Sequence, residues 1–463
     1  SRATRLALSY LDDFPESYRI AVPPAEAAQD ILRICALDSA AQRDARLYRQ
    51  PDDGPKRLRL NTYRLAEIIP LSDAVPVFEN FGFRVLEEHP TALDEGRLGY
   101  VHEFLLEVRS GEAAQVLERS ELVERAIAEV LEGKAENDPF NQLLVAAALA
   151  PRDVVLFRAW FRYLRQVGLS YSMVTVVEAL RRAPGVAHGL IALFDALHDP
   201  KQESGREQSV EAAERAIRDG LSHVAAIDED RILRLLHGVV SATLRTNAFT
   251  PAGREALAFK LDSAKVPNLP QPLPWREIWV YSPRVEGIHL RGGPIARGGL
   301  RWSDRRDDFR TEILGLMKAQ LVKNAVIVPT GAKGGFYPKH LPPPSERDAW
   351  LAEGTESYRI FIRALLSVTD NFVGNKVVHP EGLVVRDGHD PYFVVAADKG
   401  TATFSDIANA ISAERGFWLG DAFASGGSYG YDHKAMGITA RGAWISVQRH
   451  FREIGIDVQT QPI

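Results

Sequence analysis

Cysteine is almost missing from this chain: Cys35 stands alone in 463 residues. A single thiol excludes an intramolecular disulfide, and with no Cys-x-x-Cys pair and no His-Glu-x-x-His motif the familiar zinc signatures are excluded too. Cys35 itself reads as a small buried hydrophobe. Positive charge is not in excess either. A formal net charge of −5 and an isoelectric point near 6.2 leave no basic footprint for nucleic acid. No apolar run reaches the roughly 18 residues that a membrane helix needs, and no signal peptide is legible, so no membrane partner is expected. There is no Walker-type Gly-Lys-Ser/Thr loop, and no Gly-x-Gly occurs anywhere. The twelve histidines are scattered, and no metal is expected.

What is present is the composition of a soluble cytoplasmic globule, 45% hydrophobic and 25% charged. The length suggests about three domains at roughly 150 residues each. Changes of periodicity divide it into 1–110, 111–255 and 256–463, a multidomain α+β and α/β chain. Residues 45 to 108 alternate hairpin, helix and hairpin: Arg57-Leu58-Arg59-Leu60 and Phe83-Arg84-Val85-Leu86 have strand alternation, and 72 to 81 has helical spacing with Ser72 as N-cap. A helix near 25 to 37 precedes them. From 113 to about 248 the period is helical, with Val116, Leu117, Val123, Ile127, Val130 and Leu131 on one stripe and Trp160, Tyr163 and Leu164 on a shared core-facing side. The stretch 267–274 carries Pro267, Pro270, Pro272 and Pro274, which cannot continue a helix and marks a boundary.

The last domain alternates elements. Strands are expected at 278–282, 287–291, 325–329 and 392–396, and helices at 307–324, 355–369 and 404–415. Such alternation suggests a three-layer α/β arrangement with its site in loops at the carboxyl ends of strands. Lys333 follows the third of those strands and Asp398 the fourth.

The most informative residues are 292 to 336, GGPIARGGLRWSDRRDDFRTEILGLMKAQLVKNAVIVPTGAKGGF. Singly, Arg297 or Lys323 is an ordinary surface cation, Gly-x-Lys-Gly-Gly a flexible turn, and an aspartate before Lys-Gly-Thr a turn former or cap. Order, spacing and flanking residues together change the reading. Gly298-Gly299-Leu300-Arg301-Trp302, a helix carrying Gln320 and Lys323, and Gly331-Ala332-Lys333-Gly334-Gly335 resemble the substrate pocket of the glutamate dehydrogenases. The segment 396–406, AADKGTATFSD, is similar to that family's catalytic aspartate segment in its large bacterial NAD-specific branch.

Glutamate has two carboxylates, and holding both away from water calls for cations at separate points. Deamination also needs a base for the ammonium and then for water, and a lysine buried among other cations gives up its proton more readily. The resemblance implies that Lys333 is the catalytic lysine and Asp398 its acid–base partner. It implies that Lys323 binds the α-carboxylate, with Gln320 one turn earlier on the same helical face. Arg297, standing where smaller relatives carry lysine, comes near the side-chain carboxylate, while Gly298 and Gly299 complete the substrate pocket and glycines 331, 334 and 335 floor it. Thr439 and Arg441 resemble the segment lining the coenzyme side of the cleft, although Arg441 suits a surface ion pair equally well. The run 425–430, SGGSYG, reads as a phosphate cradle or, more simply, a loop.

The implied activity is NAD-dependent oxidative deamination of L-glutamate to 2-oxoglutarate and ammonia by a cytoplasmic homo-oligomer. A dehydrogenase of another amino acid, and a non-catalytic amino-acid-sensing scaffold with a decayed dehydrogenase domain, are the alternatives. Keeping Lys323, Lys333 and Asp398 together argues against decay, and the polar Arg297 and Gln320 favour an acidic side chain. The pattern before residue 110 resembles an ACT-like module, for which a structural or oligomerising role is expected over effector binding. The family's dinucleotide-binding domain is expected beyond Ile463, so the chain reads as an internal piece of a longer enzyme that does not reduce NAD alone.

Overall fold

The structure, a computed structural model, describes residues 10, 13–65, 67–202, 204–323, 329–396, 398, 400–401, 403–428 and 433–461, with the side chains of 321–323 and 433–434 outside the description. It holds two compact units: Ser1–Leu164, Leu169–Leu197 and Ser204–Val240 form one, and Arg165–Gly168, His198–Glu203 and Ser241–Ile463 the other. Both are mixtures of α and β.

In the first unit the expected β-β-α-β-β pattern is present. Strands β1 (Asp44–Tyr48), β2 (Arg57–Arg64), β3 (Phe83–Leu93) and β4 (Gly99–Val108) form an antiparallel sheet of order β1-β2-β4-β3. Alternate residues such as Leu58, Leu60, Phe104 and Leu106 are fully buried. The helix Leu71–Asn80 starts from Pro70, not Ser72. Proline's fixed φ starts the helical turn earlier, leaving Ser72 in the first turn with its hydroxyl on Asp73 Oδ1 at 3.2 Å. Cys35 is corrected as well: it is exposed, capping the end of the helix Pro24–Ile34, and its thiol donates to the Tyr10 hydroxyl at 3.2 Å. Ile31 and Ile34 occupy the buried face of that helix, and the next residue turns outward. In the helical stretch Trp160 and Tyr163 are core residues, with Trp160 edge-on to Phe157 at 5.2 Å.

The second unit is built on a mixed sheet. Its path is β10 (Leu300–Trp302), β11 (Thr330–Pro338), β8 (Val285–Arg291), β7 (Arg276–Tyr281), β6 (Leu257–Asp262) and β5 (Thr243–Thr246), with β9 (Ala296–Arg297) also on β11. Neighbours from β5 through β8 to β11 pair antiparallel, while β9 and β10 lie parallel to β11. The helices Phe309–Lys323 and Ser405–Glu414 match the expected 307–324 and 404–415 closely, while the helix expected at 355–369 starts well before that range, running Arg347–Leu366. Phe336, Tyr358, Phe361, Phe393, Phe404 and Phe423 belong to one buried apolar cluster. Its aromatic bulk gives the sheet a rigid backing.

The strand expected at 325–329 falls almost wholly outside the described residues. Lys333 does not follow a strand in a glycine loop; it lies inside β11. Glycines 331, 334 and 335 read as a turn because they are flexible alone, but none has a left-handed φ. Their missing side chains serve close packing. A Cβ would meet Gln320 Cβ at 2.6 Å from Gly331, Leu300 Cδ2 at 2.4 Å from Gly334, and Ile313 Cδ1 at 2.4 Å from Gly335.

Candidate active site

Lys333 and Asp398 form one ion pair, with Nζ 2.5 Å from Oδ2. The lysine side chain is 5% exposed and the aspartate 21%, so the cation is sealed and the carboxylate opens outward. The same oxygen accepts from Arg301 Nε at 3.0 Å. Arg301 Nη1 in turn donates to Glu312 Oε1 at 2.8 Å, and the second oxygen of Glu312 accepts from the Ser303 hydroxyl at 2.7 Å. Charge alternates along this chain of contacts, and bonds between ionised partners are about twice as strong as neutral ones.

The sheet sets the geometry. Lys333 is mid-strand, between β8 and β10, where the backbone has little freedom. Asp398 is held by the turn after β12 (Val395–Ala396): its N–H donates to Thr401 Oγ1 at 3.0 Å, and that hydroxyl donates to the Leu300 carbonyl on β10 at 2.7 Å. Because Leu300 stands opposite Gly334 in the parallel register, the turn is tied to the strand carrying Lys333. Gly400 closes the turn with φ +83° against Trp302, whose ring stacks on Trp350 at 4.3 Å.

Most of the other expected residues gather along the same strand. Arg297 ends β9 opposite Gly331. Gly298 passes so close to β11 that a Cβ there would fall 1.5 Å from the Ala332 carbonyl oxygen, and Gly299 O accepts from Gly334 N at 3.1 Å. Gln320, half-buried, lies over Gly331. Lys323 ends the helix one turn later, and its side chain is outside the description. Thr439 and Arg441 are exposed on the helix Ile438–Glu453, and among the described residues no hydrogen bond or ion pair links either side chain to Lys333 or Asp398. Of the 425–430 run, Ser428 is bound through N and Oγ to Asp406, at 2.7 and 2.6 Å, as a loop would be, and 429–430 lie outside the described residues.

Three neighbours escape sequence reasoning. Arg301 lies in a motif already recognised, but nothing there shows that it meets Asp398, and Glu312 is one glutamate among many. His289 is the third. It sits on β8 opposite Gly334, 1% exposed, with neither ring nitrogen bonded among the described residues. Burial first, then the charges of Arg291 and Lys333, pushes its pKa down to about 3. It is a neutral imidazole at working pH, packed on Phe393 at 4.5 Å.

A second charged cluster draws its cations from β5, β6 and β8. Arg245 meets Asp370 and Asp387, each at 2.5 Å, Lys260 meets Asp387 at 2.6 Å and Asp390 at 2.7 Å, and Arg291 Nη1 meets Asp390 Oδ1 at 2.9 Å. Asp370, His379 and His389 bring ligand atoms within 4.8 Å of one another, which is metal-like. Arg245 already bonds both Asp370 oxygens, however, so the negative charge that a cation would use is answered.

Known protein families and relatives match this chain. Residues 216–463 match the family described as bacterial NAD-glutamate dehydrogenase, catalytic domain. Residues 1–37, 42–119 and 135–200 match glutamate dehydrogenase helical motif 2, ACT3 domain and helical motif 3. The chain is 47% identical to the NAD-specific glutamate dehydrogenase of Pseudomonas aeruginosa over 100% of its length, 47% identical to that of Halomonas elongata over 99%, and 48% identical to that of Mycobacterium tuberculosis over 98%. It spans 29% of the length of each of these relatives.

Proposed function

The chain belongs to the bacterial NAD-glutamate dehydrogenase family, and on that premise we propose that it supplies the glutamate-binding and acid–base part of an enzyme converting L-glutamate to 2-oxoglutarate and ammonia. The substrate-binding part is residues 256–463, a three-layer α/β domain of the amino-acid dehydrogenase type, preceded by an ACT-like module at 1–110 and a helical segment at 111–255. The family resemblance further favours a homo-oligomer in the cytoplasm.

The Lys333–Asp398 pair, a sealed lysine against a carboxylate that opens outward, carries the reading. A lysine held 2.5 Å from a half-open carboxylate can hand its proton across a short path and take another. Lys333 accepts a proton from the substrate ammonium, and later from the water that adds to the oxidised α-carbon. Asp398 takes the first proton from Lys333, freeing it for the second, and returns it to the amino nitrogen, which leaves as ammonia while the carbinol hydroxyl gives its proton to Asp398 and the carbonyl forms. Arg301 holds Asp398 in place and balances its charge, and Glu312 in turn anchors Arg301. Lys323 takes the α-carboxylate and Arg297 the γ-carboxylate, with Gln320, Gly298 and Gly299 shaping the pocket. Thr439 and Arg441 expose a hydroxyl and a guanidinium, the donor types that a dinucleotide phosphate accepts, so they fit the coenzyme side. NAD, when bound, supplies the acceptor for the α-hydride.

Lys333→Ala in the intact enzyme tests this through NADH formation. Loss of a positioned acid–base group lowers turnover about 10² to 10⁴-fold. Near-normal turnover in a folded variant overturns the assignment.

A further inference from the structure

The first unit contains a pocket of about 520 Å³ far in sequence from the Lys333 site, lined by Arg43 and Arg64, by Asp73, and by the apolar Val77, Val130 and Leu131. Arg64 ends β2, opposite Tyr100 of β4. Its Nε is buried and has no hydrogen-bond partner, and no ion pair involves its side chain among the described residues. Arg43 faces the same space. Its Nη1 is used by the Ala40 and Gln42 carbonyls, at 2.7 and 2.8 Å. Burial, and then the charge of Arg64, disfavours its protonated form. A guanidinium does not lose its proton near neutral pH. The fold therefore holds two like charges against one cavity.

The nearby carboxylates answer this only in part. Glu132 accepts from Arg43 N at 2.7 Å but is paired with Lys134 at 2.6 Å. Asp73 accepts from the Ser72 hydroxyl and makes no ion pair with either arginine among the described residues. Two like charges facing one cavity, answered only in part, are unfavourable, and one oxyanion held by their guanidinium groups relieves that. Beside the polar Ser72 and Asn137, the apolar side formed by Ile69, Val77, Val130 and Leu131 favours an anion with a hydrocarbon body.

We propose that this pocket is a binding site for a small organic oxyanion, a carboxylate or phosphate on a compact apolar group, gripped by Arg64 with Arg43. The site is separate from the proposed glutamate site and does not depend on it.

Thermal unfolding of the full 463-residue chain tests it, with sodium acetate, 3-methylbutanoate or inorganic phosphate added against sodium chloride at equal ionic strength. The oxyanions are expected to raise the transition saturably where chloride does not. The branched carboxylate should half-saturate at roughly ten-fold lower concentration than acetate, because its added carbons leave water. Lower half-saturation by phosphate than by 3-methylbutanoate identifies a phosphate site; the reverse identifies a carboxylate site. Arg64→Gln is expected to abolish the response while leaving the unliganded transition unchanged or higher, since it removes the like-charge contact. A merely structural arginine would lower it. Should Arg64→Gln fail to fold, Ser72→Glu, which brings a carboxylate to the pocket's edge, is expected to raise the unliganded transition and blunt the response. No saturable effect beyond chloride from any of the three anions, or a full response retained in Arg64→Gln or Ser72→Glu, overturns the proposal.

Discussion

Asp390 and Asp398 are close in sequence, and each carboxylate is gripped by one lysine and one arginine. Asp390 meets Lys260 and Arg291, and Asp398 meets Lys333 and Arg301. They differ in enclosure. The Asp390 side chain is 5% exposed, with its partners at 1% and 3%. Asp398 and Arg301 stand at 21% and 20%. In the sealed cluster Arg245, Lys260 and Arg291 balance Asp370, Asp387 and Asp390, and the surplus donors go to the Gly388 and Tyr392 carbonyls. Burial alone raises the pKa of Asp370 and Asp390, but the arginine contacts more than reverse it and hold both below the usual carboxylate range. A ligand entering there would strand a buried charge. In the open cluster one carboxylate faces outward, and a substrate group can compete for its partners. The same pairing chemistry thus serves as a rivet when closed and as a candidate working site when open.

Substitutions should separate the two roles. The largest expected effect is Asp398→Asn in the intact enzyme, which keeps shape but removes the proton acceptor: kcat falls by about 10² to 10⁴ with little change in unfolding temperature. A rise in KM alone would move Asp398 to a binding role. Asp390→Ala should do the converse. Removing one member of a buried pair costs about 3 to 5 kcal/mol, read as a lower denaturant midpoint, while enzyme that remains folded keeps its kcat. Loss of kcat without loss of stability would break the comparison.

Arg297→Ala comes next. If the guanidinium meets the γ-carboxylate, kcat/KM for glutamate drops by about 1.5 to 3 kcal/mol, more than for a neutral amino acid of similar size. Equal losses would place Arg297 elsewhere.

His289, between the clusters, gives the smallest effect. Its folded pKa of about 3 lies below its ordinary 6.5, so the unfolded chain binds the proton first. The contribution is fully present above pH 6.5 and is lost as pH falls toward 3. His289→Phe should flatten stability between roughly pH 6.5 and 5, where the parent declines by at most about 1.4 kcal/mol per pH unit from this group. An unchanged slope would show that other groups govern that window. Below it the two clusters should part: Asp370 and Asp390, held low, contribute stability above the ordinary carboxylate range that disappears as acid drives pH through their lowered values.

By itself the sequence determined the local elements and the identity of the candidate site. Alternation and apolar spacing depend on a few neighbouring residues, so the strands of 45–108 and the helices Phe309–Lys323 and Ser405–Glu414 were legible. Motif order brought out Lys333, Asp398, Arg297 and Gln320. Tertiary structure decided whatever depends on residues distant in the chain. It put Lys333 within a strand, because its flanking glycines are filled from outside by Gln320, Leu300 and Ile313. It turned Cys35 outward and joined Arg301 to Asp398. It assembled the sealed cluster from Arg245, Lys260, Arg291, Asp370, Asp387 and Asp390, none of which is distinctive where it stands. Burial and charge pairing are properties of the folded neighbourhood, and no local window of sequence contains them.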